Sequence, residues 1–318
     1  MKNDGSRFMF FLILYYFGAA LFLLPLFFRM AGIDEYNLHD VILSPWFMIA
    51  QQLLVLLLPL ILWIFMKRQS FSDFLEHKPM DVTTVAIVVV FSFLIQPAMM
   101  FISGFTGLFF PNIIADVVTD MGQHPFWLLI LAIAVTPAIV EEVIFRGYIQ
   151  STYSDFPIKK AAIVNGIFFG IIHMNMQQFF YAFFMGVIFA YIVYYTKSIL
   201  AAVIVHFLVN ASQVALLRIA VFIESLQEEL LEAAAPVEVS NVQAVVAIGV
   251  FALFTTPIAL FLLRALAKKH QAETQSESIT SDEVKSEALA VPASIVDRYF
   301  VAVVAMFVSF VVLSRLVL

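Results

Sequence analysis

Residues 126–150 read FWLLILAIAVTPAIVEEVIFRGYIQ. The run opens apolar and closes on Pro137, Glu141, Glu142 and Arg146. About 20 apolar residues suffice to cross a bilayer as a helix, and this stretch is long enough. Its charges set the context. Fully central charges cost roughly 2.5–3.5 kcal/mol each on insertion scales, so three cost about 8–10 kcal/mol. The nine Leu, Ile, Val and Phe residues of positions 126–140 return only roughly 3–5 kcal/mol. Off-centre placement lowers the cost, yet the helix is tolerable only inside a bundle of others.

The rest of the chain supplies that bundle. Of 318 residues, 63% are hydrophobic and 13% charged, with 35 Phe and a mean hydropathy of +0.98. An ordinary soluble domain has roughly 45–50% and about 25%, and no soluble fold of this size hides so much apolar surface. Nine candidate spans follow: residues 8–30, 45–66, 83–110, 126–150, 158–174, 178–195, 199–220, 242–263 and 299–318. The runs are continuous, without the period-two alternation of a membrane barrel. The sequence thus predicts an all-α polytopic bundle: eight core spans within residues 1–264, a polar cytoplasmic linker over 265–296, and a C-terminal span over 297–318. Within the linker, residues 271–287 (QAETQSESITSDEVKSE) are polar and acidic and read as flexible. The ninth span invites a partner helix. No soluble domain or internal repeat is evident.

Lys and Arg accumulate on the cytoplasmic side of membrane proteins. Lys2 and Arg7; Lys67, Arg68 and Lys78; Lys159 and Lys160; Lys197; and Arg264, Lys268 and Lys269 occupy alternate connections. Asp34, Glu35 and Asp40; Asp116 and Asp120; and Glu224, Glu228, Glu229 and Glu232 occupy the others. The expectation is an integral multi-pass protein with a cytoplasmic N-terminus, in the cell membrane if the source is bacterial. The first span exceeds the roughly 7–15 apolar residues of a signal-peptide core. A net charge of −6 with only 17 Lys and Arg argues against nucleic acid. The absence of Cys excludes disulfides, thiolate metal sites and a cysteine nucleophile.

Ionisable groups inside spans are costly and usually functional. In span four, Glu142 and Arg146 stand i,i+4 with the acid first, the favourable order for an ion pair. Neighbouring helix residues point about 100° apart, so Glu141 projects elsewhere, without a partner from its own helix. Pro137 removes a backbone donor one turn earlier. Span five places Asn165, Phe169 and His173 on one face, with Gly166 and Gly170 beside them. Span seven places His206 and Asn210 on one face. Each pair alone suits structural glue between helices. Together, a lone carboxylate, two imidazoles and an amide can hold a water, deprotonate it and stabilise an oxyanion. Glu141, His173 and His206 could instead ligate one zinc ion with an open position for water. No HExxH, GxSxG or phosphate-binding glycine loop occurs. Glu and His chains also build proton relays in transporters, but those want polar groups at every depth, and here they cluster in three spans.

In order, Glu141-Glu142-x-x-x-Arg146, Phe169-x-x-x-His173 and His206-x-x-x-Asn210 resemble the three-motif signature of the CPBP family. That family includes type II CAAX prenyl endopeptidases and the bacteriocin-processing or bacteriocin-immunity (Abi) membrane proteins. The resemblance covers residues 126–212. It implies an eight-helix bundle with a buried cavity and endoproteolysis near the membrane, acting on a membrane-associated peptide or protein. It implies Glu141 as general base aided by His173, His206 and Asn210 as the oxyanion pair, and Glu142 and Arg146 in support. No cofactor is firmly implied. An immunity factor acting by binding alone is the alternative within the family. One misfit of depth stands out: at 1.5 Å per residue, Glu141 lies about 12–14 Å and His206 about 10 Å below the cytoplasmic surface, but His173 lies about 20 Å below it.

Overall fold

The computed structural model describes residues 4–75, 77–111, 121, 124–230, 241–280 and 294–317. The structure is 86% helical, and no strand occurs among the described residues. The helices are α1 (Asp4–Met30), α2 (Glu35–Ile42), α3 (Pro45–Lys67), α4 (Val82–Gly107), α5 (Phe126–Ile149), α6 (Ile158–Ile171), α7 (Met176–Thr196), α8 (Ile199–Leu230), α9 (Asn241–Thr280) and α10 (Arg298–Val317). All but α2 and α6 are long and apolar enough to cross a membrane, giving eight candidate spans. The protein is an integral membrane protein of the all-α polytopic class.

The expected fifth span, residues 158–174, differs and is not among these eight. Helix α6 has 14 residues, about 21 Å of rise, short of the roughly 30 Å hydrocarbon core. The apolar run 158–174 is broken at its end by a turn: Met174 takes a left-handed backbone (φ 47°) and the Asn175 side chain caps α7 by accepting from the Gln178 N–H at 3.0 Å. The polar stretch from residue 265 also behaves differently from a flexible linker over its first part, since α9 is helical through Thr280. The remainder up to residue 293 lies outside the described residues, as do the acidic positions Asp116, Asp120 and Glu232.

Helix α5 is the innermost span. In its most apolar window 61% of residues are buried, against 11–44% for the other seven. That placement answers the insertion cost of its three charges. Large apolar side chains elsewhere face outward, among them Phe22, Phe65, Leu253 and Leu313, as a lipid-facing surface requires. Helices α6 and α7 form a tight hairpin through glycine. A Cβ on Gly166 would stand 2.7 Å from the Phe183 carbonyl oxygen, and one on Gly186 would stand 2.7 Å from the Gly166 Cα. Small residues admit this close approach in membranes. The C-terminal helix α10 packs into the bundle: Phe300 meets Phe168 of α6, Phe307 stacks on Phe179 of α7, and the Ser6 hydroxyl of α1 donates to Asp297 at 2.8 Å. Helix α9 is tied to the foot of α4 by Lys269 with Asp81, and to the preceding loop by Lys78 with Glu273 at 3.0 Å.

Candidate active site

Pro137 shapes the start of the site. Lacking an N–H, it leaves the Ile133 carbonyl without its usual donor four residues on. The Asn210 side-chain amide of α8 donates to that oxygen at 3.0 Å. Thr136 Oγ1 similarly donates to the Leu131 carbonyl at 2.7 Å. The helix runs in π geometry over Ile130–Val135 and again over Val143–Ile149. The α-helical segment Thr136–Glu142 lies between the two. Short π stretches inside α-helices recur at functional positions. Here they bracket the two acids.

The ion pair expected along α5 is present: Arg146 NH1 donates to Glu142 Oε1 at 3.1 Å, and both side chains are fully buried. Glu142 does more than balance Arg146. The same oxygen accepts from Nδ1 of His206 on α8 at 2.8 Å. A carboxylate can only accept, so Nδ1 carries the proton and Nε2 is turned the other way. There it faces Oε2 of Glu141 at 4.0 Å. The two acids diverge from their helix as the 100° step requires, and one imidazole spans the gap between them. A gap of 4.0 Å is too long for a direct hydrogen bond. A water 2.8 Å from each atom would bridge it at an angle of about 90°. Glu141 makes no side-chain hydrogen bond among the described residues, and 12% of its side chain is exposed. Glu142 Oε2 is buried without a partner among them.

His173 is drawn in by Phe169. Its Nδ1 donates to the Phe169 carbonyl at 2.7 Å, which again leaves Nε2 as the free nitrogen. Its ring sits edge-on to Phe169, with centroids 5.3 Å apart, and His206 meets the same ring at 5.9 Å. The depth mismatch is thereby closed: both imidazoles rest on one phenyl ring, and His173 also lies within electrostatic range of Glu141. The structure brings Arg146, His173 and His206 around Phe169, with Glu142 bonded to Arg146 and His206 and Glu141 4.0 Å from His206. Asn210 stands one turn further along α8, held to Ile133.

Three contributors had no legible role in the sequence. Phe169 is the hub, because Arg146 also lies over its face at 4.2 Å. Phe189 of α7 backs both Arg146, at 4.9 Å, and His206, at 5.5 Å. The Gly186 carbonyl accepts from Arg146 NH2 at 3.3 Å. Phe169 recurs within its motif at the histidine's spacing, a signal of shared face only. Phe189 and Gly186 carry no sequence signal, because an aromatic or a glycine on an apolar helix is ordinary.

For zinc, the donors would be Glu141 with Nε2 of His173 and His206. Among the described residues, no three His, Asp or Glu side chains form a group that could hold a metal ion, and the His206 ring is oriented by Glu142 instead.

Residues 123–212 match the model of the Rce1-like type II CAAX prenyl endopeptidase family. This is a family of membrane proteases. The matched segment opens just before α5 and closes two residues beyond Asn210, so all six side chains fall inside it. No curated protein and no solved structure matches the chain.

Proposed function

We propose that this protein is an intramembrane endopeptidase that hydrolyses a peptide bond of a membrane-associated substrate with a side-chain-activated water. The observation that carries the reading is the pair of contacts on His206, with Glu142 at Nδ1 and Glu141 across 4.0 Å from Nε2, inside the protease-family segment.

The chemistry follows from donor and acceptor roles. Glu141 is free of side-chain hydrogen bonds among the described residues, so it can take a water proton as that oxygen attacks the scissile carbonyl. Nε2 of His173 accepts the water's second hydrogen and orients it. The carbonyl oxygen becomes an oxyanion. Nε2 of His206 lies on the same side as Glu141 and can donate to the oxyanion when it carries a proton, with Glu142 holding the ring at Nδ1. Asn210 has a second amide hydrogen beyond the one given to Ile133. The intermediate then collapses: the C–N bond breaks, Glu141 returns its proton to the leaving nitrogen, and an amine and a carboxylic acid result. Glu142 is a positioning residue, comparable to the carboxylate that orients histidine in a serine-protease triad.

The family description favours a lipidated C-terminal Cys-a-a-X segment as substrate. The test uses a vesicle-bound peptide ending in farnesyl-Cys-Val-Ile-Met, with the purified chain in the same vesicles. Wild type should release the tripeptide. Glu141→Gln, which keeps the side chain's shape, should lose turnover by on the order of 10²–10⁴-fold with thermal unfolding unchanged. Undiminished cleavage by Glu141→Gln would remove the proposed base.

A further inference from the structure

Behind Arg146, away from His206, lies a cavity of about 110 Å³ between the ends of α5, α6 and α7, lined by Arg146, Gln150, Ser154, Ile158 and Lys197 among others. The buried polar atoms of its lining residues that lack partners among the described residues include Nε of Arg146 and Oε1 of Gln150. Arg146 is 3% exposed. Gln150 gives its amide hydrogen to the Ala190 carbonyl at 3.0 Å, so its oxygen is the end left over. A buried donor and a buried acceptor each cost about 1–3 kcal/mol when unpaired. Something supplying both an acceptor and a donor belongs between them.

The surroundings select its charge. Lys197 stands at the mouth, its ammonium 4.7 Å over the Tyr194 ring. The lining residue Ile158 is the first of α6, whose N-terminal N–H groups carry positive partial charge. Lys159 and Lys160 follow on its exposed first turn. Asp155 is the one acid in that connection, and it is exposed. The volume equals that of about three or four liquid waters, ample for one tetrahedral oxyanion. Basic pockets between membrane helices are known places for lipid headgroups.

We propose that this cavity is a phosphate-binding site, filled either by the phosphate of a phospholipid headgroup or by free hydrogen phosphate. The anionic oxygens would accept from Arg146 Nε and Lys197, and a hydroxyl on or beside the phosphate would donate to Gln150 Oε1. Because Arg146 NH1 also holds Glu142, and Glu142 holds His206, occupancy would tighten the site's histidine. That last link rests on the endopeptidase reading; the binding site itself does not.

The experiment follows thermal unfolding of the whole chain in two arms. One arm titrates sodium phosphate against sodium chloride at equal ionic strength, with the protein in non-ionic detergent. The other arm, in the same detergent and free of inorganic phosphate, adds phosphatidylglycerol or, as its control, a neutral glycolipid that carries no phosphate. A saturable rise in Tm in the first arm identifies free phosphate, and a rise in the second alone identifies the headgroup. Lys197→Gln should raise the half-saturating concentration by about tenfold or more, the scale of one charge-assisted hydrogen bond, and Lys197→Arg should retain the response. Ser154→Glu, which places a negative charge at the exposed rim without touching the core, should abolish it. No saturable rise in either arm, or a rise indifferent to Lys197→Gln and Ser154→Glu, would leave the cavity to water and overturn the proposal.

Discussion

Replacing Glu142 by Gln separates a carboxylate that orients His206 from one that merely neutralises Arg146. Glu142 Oε1 accepts from His206 at 2.8 Å and from Arg146 at 3.1 Å, with the carboxyl fully buried. Gln keeps the shape and removes the charge. The guanidinium, fully buried, then retains the Gly186 carbonyl at 3.3 Å and the faces of Phe169 and Phe189. Breaking a buried pair by deleting one charge costs about 3–5 kcal/mol. The retained contacts place the expected loss near the lower end, about 3 kcal/mol. Against a typical total of about 5–15 kcal/mol, the variant should fold with a clearly lowered Tm. Turnover should fall further, by on the order of 10²–10⁴-fold, the scale seen when a histidine loses its orienting carboxylate. The double variant Glu142→Gln/Arg146→Met removes both charges. It should recover most of the lost Tm, because replacing a whole buried pair is often nearly neutral. It should recover none of the turnover. Tripeptide release and thermal unfolding, measured on the same preparations, check both halves. Recovery of turnover in the double variant would show that Glu142 serves only Arg146, and the orienting role would fail.

Three further outcomes follow from the geometry. Asn210→Ala should lower both quantities: Tm, because the Ile133 carbonyl beside Pro137 loses its donor at 3.0 Å, and turnover, by about 10²–10³-fold as for loss of one oxyanion donor; a fall in Tm alone would leave Asn210 a structural tie. Gly166→Ala should destabilise despite Ala's better helix propensity of about 1 kcal/mol. The new methyl would stand 2.7 Å from a backbone oxygen of α7, and such overpacking costs about 1–3 kcal/mol or more. An unchanged Tm would show that the hairpin can open freely. At the foot of α4, the Lys269 ammonium and the Thr84 backbone N–H hold the Asp81 carboxyl down at about 2, below its usual 3.8. A lowered folded pKa means stability present above about pH 4 and lost as pH falls toward 2. Asp81→Asn should therefore lower Tm slightly at pH 7, and the difference from wild type should vanish near pH 2. A pH-independent difference would assign the effect to helix capping instead.

Much of the site was legible because helix spacing is local. The i,i+4 pairing of Glu142 with Arg146, the divergence of Glu141, and the shared faces of Phe169 with His173 and of His206 with Asn210 all follow from 3.6 residues per turn. The missing donor at Pro137 was equally plain, although its consequence, a bond from Asn210, was not. Span counting succeeded where apolar runs were long. Residues 158–174, counted as a span from hydropathy, form a helix of 14 residues that is not among the eight candidates, because hydropathy does not register that the backbone turns at Met174.

The sequence by itself determined that this chain lives in lipid as an all-α bundle, and that three of its helices carry charge or imidazole where lipid should exclude them. Those properties depend on composition and on the fixed rise and rotation of a helix, so they need no knowledge of neighbours. Only the tertiary structure decided that Glu142 grips His206 as well as Arg146, that Phe169 gathers both imidazoles and the guanidinium, and that a polar cavity waits behind Arg146. These depend on how closely α6, α7 and α8 approach α5. That approach is set by glycine contacts, a left-handed turn and two π-helical stretches, whose combined rotation no single helix encodes.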